Sequence, residues 1–409
     1  MKEIFLSDKV AADRMPFTEH VSTLGQTHYS WQIISRFYQS AIQQAGYRIR
    51  NILRPEIYQS EIARKLIGQT DNSIHIAVKP VEHLRPMLGA KNIFVCGWEF
   101  PEFSADSGSL SPFYNQTRIL RSADSVICWT DYTRDNLTAI GISRARTLPP
   151  PIATPMLGRG TRFLDSVSTS LADHLTKKPT ARTLGSELNK LKPRKLFVSV
   201  LNPFDRRKQI STMLTGFQAA LIKDPLLVLV VKLVIDNVHT TVGNINEILA
   251  IHYDYHSSCE RILFLGDQYS AEDLSGLISS ADFYLCSSSA EGLNIPLIEA
   301  QMLGIPAVST WNTAMGTYLD RDCSIPIASS RQPFDGKSHA MADVLQVTHF
   351  PPKAGDVAAA IIQAASMDDG QYDRLSSSGK SNAERRFGQE LFQSRLEKLL
   401  SELSLKSQR

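Results

Sequence analysis

Strand-like and helix-like patterns alternate along nearly the whole chain, and that alternation limits the folds open to it. Short apolar runs at Ile4-Phe5-Leu6, Arg48 to Leu53, Ile74 to Val78, Asn92 to Cys96 and Ser125 to Trp129 read as strands. Between them lie helical stretches. One sets Ile34, Phe37, Tyr38, Ala41, Ile42 and Ala45 on a single face and ends at Gly46. Others cover Thr117 to Ser122 and Arg134 to Ile140. The rhythm resumes at Leu196-Phe197-Val198-Ser199-Val200. A helix follows with Ile210, Leu214, Phe217 and Leu221 on one face, then strands at Leu226 to Ile235, Arg261 to Leu265, Asp282 to Cys286 and Ala307 to Ser309. Strands separated by helices predict parallel sheets with crossover connections, an α/β architecture.

A length of 409 residues suits two such domains, each able to bury its own core. The first half closes at Pro149-Pro150-Pro151, which neither a helix nor a central strand continues. Residues 158 to 193 are rich in Ser, Thr, Lys and Gly and lack an apolar period, so they read as a linker or insertion. The expected layout is a domain over 1–157, a linker over 158–193, a domain over 194–380 and a final helix within 381–409. That helix carries Phe392, Leu396, Leu399, Leu400 and Leu403 as a stripe.

Bulk properties narrow the function. A net charge of +3 gives no basis for a nucleic-acid partner. The five cysteines, Cys96, Cys128, Cys259, Cys286 and Cys323, are scattered and show no CxxC spacing. They predict reduced thiols in a cytoplasmic protein, with neither a disulfide frame nor a zinc site. The N-terminal residues lack a long apolar region, and the most apolar segment, Pro225 to Ile235, is too short to span a bilayer. It also contains Lys232, expected to reach solvent along its stem. Basic clusters at Arg48, Arg50 and Arg54, at Arg64-Lys65, and at Lys192 with Arg194-Lys195 leave open a peripheral contact with the inner face of the cell membrane.

The densest chemistry lies in Ser287-Ser288-Ser289-Ala290-Glu291-Gly292-Leu293-Asn294-Ile295-Pro296-Leu297-Ile298-Glu299-Ala300. A buried strand, Phe283 to Cys286, precedes it. Gly292 and Asn294 suit a tight turn, Pro296 suits the first turn of a helix, and Gly304 closes that helix. A helix start directs free N–H groups and a positive dipole end forward, which suits a phosphate. Glu291 before the turn and Glu299 along the helix suit sugar or ribose hydroxyls. A second cluster, Asn202-Pro203-Phe204-Asp205-Arg206-Arg207-Lys208, follows the strand ending at Val200. Basic side chains there lie at the strand end where open α/β sheets bind ligands.

Glu291-Gly292, Pro296 and Glu299-Ala300, with Gly304 and Pro306 behind them, resemble the donor-site signature of the retaining family-four glycosyltransferases. The resemblance is good over residues 195 to 310 and weak over the first half. It implies a GT-B fold: two Rossmann-like parallel-sheet domains facing across a cleft, with the C-terminal helix crossing back to the first domain. It implies transfer of a hexose-type sugar from a nucleotide-diphosphate sugar to a hydroxyl of a saccharide or lipid-linked acceptor, in polysaccharide biosynthesis. Retention of configuration, no metal and no cofactor belong to the same expectation. Lys208 matches the family's lysine. The family's upstream arginine falls on Asn202, so Arg207, or Arg206 in its place, is expected to grip the diphosphate. The expected catalytic set is Glu291, Arg207 and Lys208. Asn202, Gly266, Gly292, Leu293, Asn294, Ile295, Glu299 and Gly25 are expected around the donor. Gly266, in Leu265-Gly266-Asp267-Gln268-Tyr269, resembles the loop that meets the nucleotide base.

On the acceptor side, Trp98 could stack on a sugar ring and Glu99 accept its hydroxyls, and aromatic core packing explains the same residues. His28, His75 and His83 suit either an acceptor-side or a structural role. Asp320-Arg321-Asp322 reads as a surface loop despite its DxD spelling. Two other functions fit the signature: a GT-B nucleotide-sugar epimerase, and a non-catalytic sugar-nucleotide-binding scaffold.

Overall fold

The computed structural model describes residues 3–8, 27–70, 72–103, 115–152, 183–235, 259–266, 269–334 and 347–405. The chain divides into two compact units. One comprises Met1–Ile152, Met341–Val347 and Arg386–Arg409, and the other Ala153–Ala340 and Thr348–Arg385.

The first unit runs β1 (Glu3–Ser7), α1 (Thr27–Gln44), β2 (Arg48–Asn51), α2 (Glu61–Leu66), β3 (Ile74–Val78), β4 (Lys91–Cys96), α3 (Gln116–Arg121), β5 (Ser125–Cys128), α4 (Asp131–Ala139) and β6 (Ala145–Thr147). Its six strands pair in parallel in the order β2-β1-β3-β4-β5-β6. The apolar runs are this sheet: Ile4 to Leu6, Ile76 to Val78 and Ile93 to Cys96 are all buried. The α1 stripe faces inward through Ile34, Tyr38, Ala41 and Ile42, and Gly46 at φ 85° ends the helix as expected. Ser7 Oγ meets His75 Nε2 at 2.9 Å, and His75 Nδ1 meets Asn92 Oδ1 at 2.9 Å. Burial lowers His75 to about 4, so the ring is a neutral bridge across β1, β3 and β4. His75 is therefore structural, and His83 sits in the short turn Val81–His83. The C-terminal helix Gln389–Leu405 belongs to this unit. Phe392 meets the Tyr38 ring edge-on at 5.6 Å, and Arg395 Nη1 donates to the Thr147 carbonyl at 3.1 Å.

The second unit contains α5 (Leu184–Leu191), β7 (Lys195–Leu201), α6 (Ile210–Lys223), β8 (Leu227–Leu233), β9 (Ile262–Leu265), α7 (Ala271–Ser279), β10 (Phe283–Cys286), α8 (Ile295–Met302), β11 (Ala307–Thr310) and β12 (Ser324–Ile327). A small pair, β13 (Gln332–Pro333) and β14 (Thr348–His349), precedes α9 (Ala354–Ala365) and α10 (Asp369–Phe387). The parallel sheet has the order β12-β11-β10-β7-β8-β9. Chain order therefore reverses between β7 and β10, which pair in parallel with Phe283 opposite Phe197. Lys232 corrects its expectation. It is 4% exposed, donates from Nζ to the Leu233 carbonyl at 2.6 Å and lies 4.8 Å over the Tyr269 ring. The strand is covered on both faces, so its stem has no short route to water.

Helix α6 packs on α9 through Gly216. A Cβ there would lie 2.6 Å from Val357 Cβ and 2.8 Å from the Ala354 carbonyl oxygen. Relief would require separating two helices packed face to face. We expect Gly216→Ala to destabilise the protein by about 1–3 kcal/mol, the usual cost of overpacking. Urea denaturation checks this, and an unchanged midpoint would contradict the close approach.

Candidate active site

Adjacent parallel strands deliver their following loops to the same edge of a sheet. At a reversal of strand order the two loops diverge above it and leave a crevice. In the second unit, β7 leads into residues 202–209 and β10 into residues 287–294. These segments carry the basic cluster and the glutamate turn. The structure brings them into contact: Lys208 Nζ lies 2.5 Å from Glu291 Oε1, with the two side chains 20% and 7% exposed. Burial alone would lower the lysine pKa. The Glu291 carboxylate, aided by Asp205, outweighs that and raises it, so the ammonium stays charged.

The two loops are also tied through their backbones. Ser289 N and Oγ both donate to the Arg207 carbonyl, at 2.7 and 3.1 Å, and Ser287 Oγ donates to the Lys208 carbonyl at 3.0 Å. Arg207 has a different task from the one expected. Its Nη2 meets Asp205 Oδ2 at 2.6 Å, its Nε meets Asp205 Oδ1 at 3.1 Å, and its Nη1 donates to the Ala290 carbonyl at 3.4 Å. With 8% of the residue exposed, this guanidinium braces the loop rather than facing a ligand. Arg207 and Lys208 hold Asp205 below the ordinary carboxylate range against the opposing effect of burial. Asn202 also shapes the loop, accepting from Phe204 N at 2.9 Å.

The turn before α8 forms as read. Asn294 takes the left-handed conformation at φ 70°, its Oδ1 accepts from Leu297 N at 3.4 Å, and Pro296 occupies the first turn. Leu293 is held by its carbonyl, which accepts from Tyr318 Oη at 2.7 Å. Among the described residues no acceptor meets the backbone N–H groups of Leu293, Asn294 and Ile295. Gly292 is buried beside Glu291. The Glu299 carboxyl has no hydrogen-bond or ion-pair partner among the described residues, and burial lifts it from 4.5 to about 7. A half-buried carboxyl without a partner, on a helix whose first amides are open, is a combination typical of a ligand site.

A layer missed by sequence reading holds Glu291. Thr313, at φ 45°, accepts from Glu291 N at 2.9 Å through Oγ1, and Ala314 N donates to the Glu291 carbonyl at 3.2 Å. A β-branched residue at positive φ is strained and persists only where its surroundings impose it. His349 Nδ1 meets Ser289 Oγ at 2.9 Å, and Asn312 Nδ2 donates to the Ser288 carbonyl at 3.1 Å. Asp205 had a local signal, an acidic residue opening a turn ahead of three cations. The others are distant in sequence and carried none.

The remaining expected residues are placed as follows. Gly266 is buried at the end of β9, with Asp267 and Gln268 outside the described residues. Gly25 also lies outside them. Trp98 is 5% exposed, packs on Phe100 and Phe103 with centroids at 5.6 Å, and donates from Nε1 to the Glu102 carbonyl at 2.7 Å. Its ring is a core element, so the stacking role is corrected to packing. Glu99, beside it, is half-buried. Asp320 and Asp322 lie in an exposed turn, as read. Among the described residues, no group of three or more His, Cys, Asp or Glu side chains is arranged to hold a metal ion.

Residues 192–328 match the family described as Glycosyl transferases group 1. No curated protein matches the chain. Among solved structures, a mutant of S. aureus TarM, in complex with fondaparinux, alpha-GlcNAc-glycerol and UDP, is similar at a TM-score of 0.52 and 14% identity. The match covers 81% of this chain and 56% of that one, so this chain spans little more than half of that protein. Sucrose-phosphate synthase from Thermosynechococcus elongatus is similar at a TM-score of 0.61 and 16% identity, covering 99% and 100% of the two chains. HepE from Anabaena, in complex with UDP and glucose, is similar at a TM-score of 0.55 and 12% identity, covering 98% and 99%. The fold is GT-B, and its second unit carries the group 1 glycosyltransferase match.

Glu299 yields a test in two parts. Its folded pKa lies above 4.5, so the native state holds more protons between about 4.5 and 7. Stability relative to Glu299→Gln should therefore fall as pH rises through that window. A ribose hydroxyl donates best to the ionised form, so nucleoside-diphosphate affinity should strengthen as pH rises through about 7 in the wild type beyond any change in Glu299→Gln. The ligand's own titration is common to both proteins. Titration calorimetry across pH measures the difference, and parallel profiles would contradict the role.

Proposed function

We propose that this chain transfers a hexose-type sugar from a nucleotide-diphosphate sugar to a hydroxyl of a saccharide or lipid-linked acceptor, with retention at the anomeric carbon. The observation that supports this most is the buried Lys208–Glu291 pair beside unpaired amides at the start of α8.

In this reading the Lys208 ammonium and the amides of Leu293, Asn294 and Ile295 meet the diphosphate. Glu291 accepts from donor-sugar hydroxyls, and Glu299 accepts from the ribose. Arg207 acts by fixing Lys208 and Glu291 through Asp205 and Ala290. As the bond from the anomeric carbon to the β-phosphate oxygen breaks, both electrons pass to the leaving diphosphate. Fixed positive charge stabilises that build-up without needing to reorganise. The acceptor oxygen bonds to the anomeric carbon on the face the diphosphate leaves, and its proton passes to a departing phosphate oxygen. No protein nucleophile is required. The donor is a substrate, and the scheme invokes neither metal nor cofactor. Polysaccharide assembly in the cytoplasm, at the inner face of the membrane, is the setting this reading favours.

The test is release of nucleoside diphosphate from a panel of nucleotide sugars, with and without candidate acceptors. We expect acceptor-dependent release, lowered at least about 100-fold in Glu291→Ala and in Lys208→Ala. Removing one partner of a buried pair strains folding as well, so Glu291→Gln and melting curves accompany both variants. Release unaffected in folded variants would refute the assignment. Epimerised donor without transfer would favour the epimerase, and binding without turnover the scaffold.

A further inference from the structure

Asp320-Arg321-Asp322, which the donor site does not use, borders a groove of its own. The groove has a volume of about 940 Å³ and lies among the turn 320–323, the end of α9 and one face of α10. All of these belong to the second unit. They stand at the edge of the sheet where the parallel strands begin. The turn leads directly into β12. The Ala365 carbonyl, at the end of α9, accepts from Arg194 Nη1 at 2.8 Å, and Arg194 directly precedes β7. Ser376 on α10 donates from Oγ to the Gly304 carbonyl at 2.5 Å, just ahead of β11. The Glu291 turn and the Lys208 loop follow their strands, so they occupy the opposite edge.

The walls of the groove are pinned. Asp320 Oδ1 accepts from Asp322 N at 3.0 Å, and the Asp320 carbonyl accepts from Ser324 N and Oγ, each at 3.0 Å. The Cys323 carbonyl accepts from Gln301 Nε2 at 3.0 Å, and a Cβ at Gly379 would lie 3.3 Å from that same carbonyl oxygen, so α10 lies against the turn. On α10, Gln371, Arg374, Leu375 and Ser378 recur at the spacing that normally turns an apolar stripe to a core. Here only Leu375 of the four is buried, and it shares the lining with half-buried Met367. The charged side chains of the lining are unused. Arg321, Asp322, Asp373 and Arg374 have no side-chain hydrogen-bond or ion-pair partner among the described residues, although both signs border one groove.

We propose that this groove binds a neutral oligosaccharide. Two guanidiniums against two carboxylates leave its lining without net charge, which disfavours a nucleotide, a free phosphate or a metal ion. No aromatic side chain lines it to stack on a base, and Met367 and Leu375 are too little apolar surface for a lipid or an apolar peptide. A sugar hydroxyl donates one hydrogen bond and accepts two, so a saccharide uses every group present. Its hydroxyls donate to Asp322 and Asp373 and accept from Arg321 and Arg374, while its C–H faces rest on Met367 and Leu375. The volume lies near the upper end of the roughly 300–1,000 Å³ usual for small-molecule pockets, which suits several linked sugars rather than one. At the edge opposite the donor loops, the groove holds a chain without filling the transfer site. The inference is independent of the donor-site reading, because its test requires no turnover.

The experiment is titration calorimetry of the full chain, in excess nucleoside diphosphate, with maltohexaose, mannohexaose and chitohexaose. Inorganic phosphate and glucose 6-phosphate are the anionic comparisons. We expect at least one hexasaccharide to bind and both anions to bind more weakly. Arg321→Ala with Arg374→Ala should weaken hexasaccharide binding at least about tenfold, and so should Ser378→Trp, which fills the groove. The three replaced residues are exposed, so melting curves and nucleoside-diphosphate affinity should not change. If one variant does not fold, the other carries the test. No binding of any hexasaccharide, or equal binding by the folded variants, would overturn the proposal. So would tighter binding of phosphate or glucose 6-phosphate that the arginine changes abolish, which would make the groove an anion site.

Discussion

A single buried ion pair organises the second unit's upper edge. Lys208 and Glu291 come from loops remote in sequence, yet they meet because β7 and β10 are neighbours where strand order reverses. Burying both charges is costly unless each is paired and further hydrogen-bonded. The surroundings are built accordingly. Asp205 neutralises Arg207, Arg207 reaches the Ala290 carbonyl, and Ser287 and Ser289 tie the two loops together. Thr313 secures the Glu291 backbone at the expense of an unfavourable φ. Loss of any one contact would free either the ammonium or the carboxylate to move.

This arrangement leaves a distinct set of groups open. The amides at the start of α8 and the Glu299 carboxyl lack partners among the described residues. Burial makes Glu299 reluctant to ionise, whereas nearby anions keep Lys208 ionised, so the two groups are tuned in opposite directions. A ligand carrying both a diphosphate and hydroxyl donors would satisfy what the protein does not satisfy itself.

Much of this was legible in the sequence. Apolar runs marked β3, β4 and β10 to within a residue, because buried parallel strands need continuous apolar segments. The α1 stripe and its Gly46 end were equally plain. The glutamate turn was legible because Asn294 and Pro296 have strong local preferences. What escaped depends on contacts over distance. No local pattern tells that Thr313 and His349 fold back on the Glu291 loop. Arg207 read as a ligand group because a free guanidinium and a neutralised one look alike in sequence. Trp98 was ambiguous for the same reason. Lys232 was misread because nothing in its own strand records how completely its neighbours cover it. Helix α7 was overlooked despite its Ser270–Asp273 capping box, and α10 because its apolar face is sparse.

The central claim is that the loops after β7 and β10 form one nucleotide-sugar site around Lys208 and Glu291. The most direct test is a crystal structure with whichever of uridine, guanosine or adenosine diphosphate binds most tightly. The account predicts diphosphate oxygens within hydrogen-bonding reach of the Lys208 ammonium and the α8 amides, with ribose hydroxyls at Glu299. A nucleotide ordered elsewhere, with the Lys208–Glu291 region unoccupied, would contradict it.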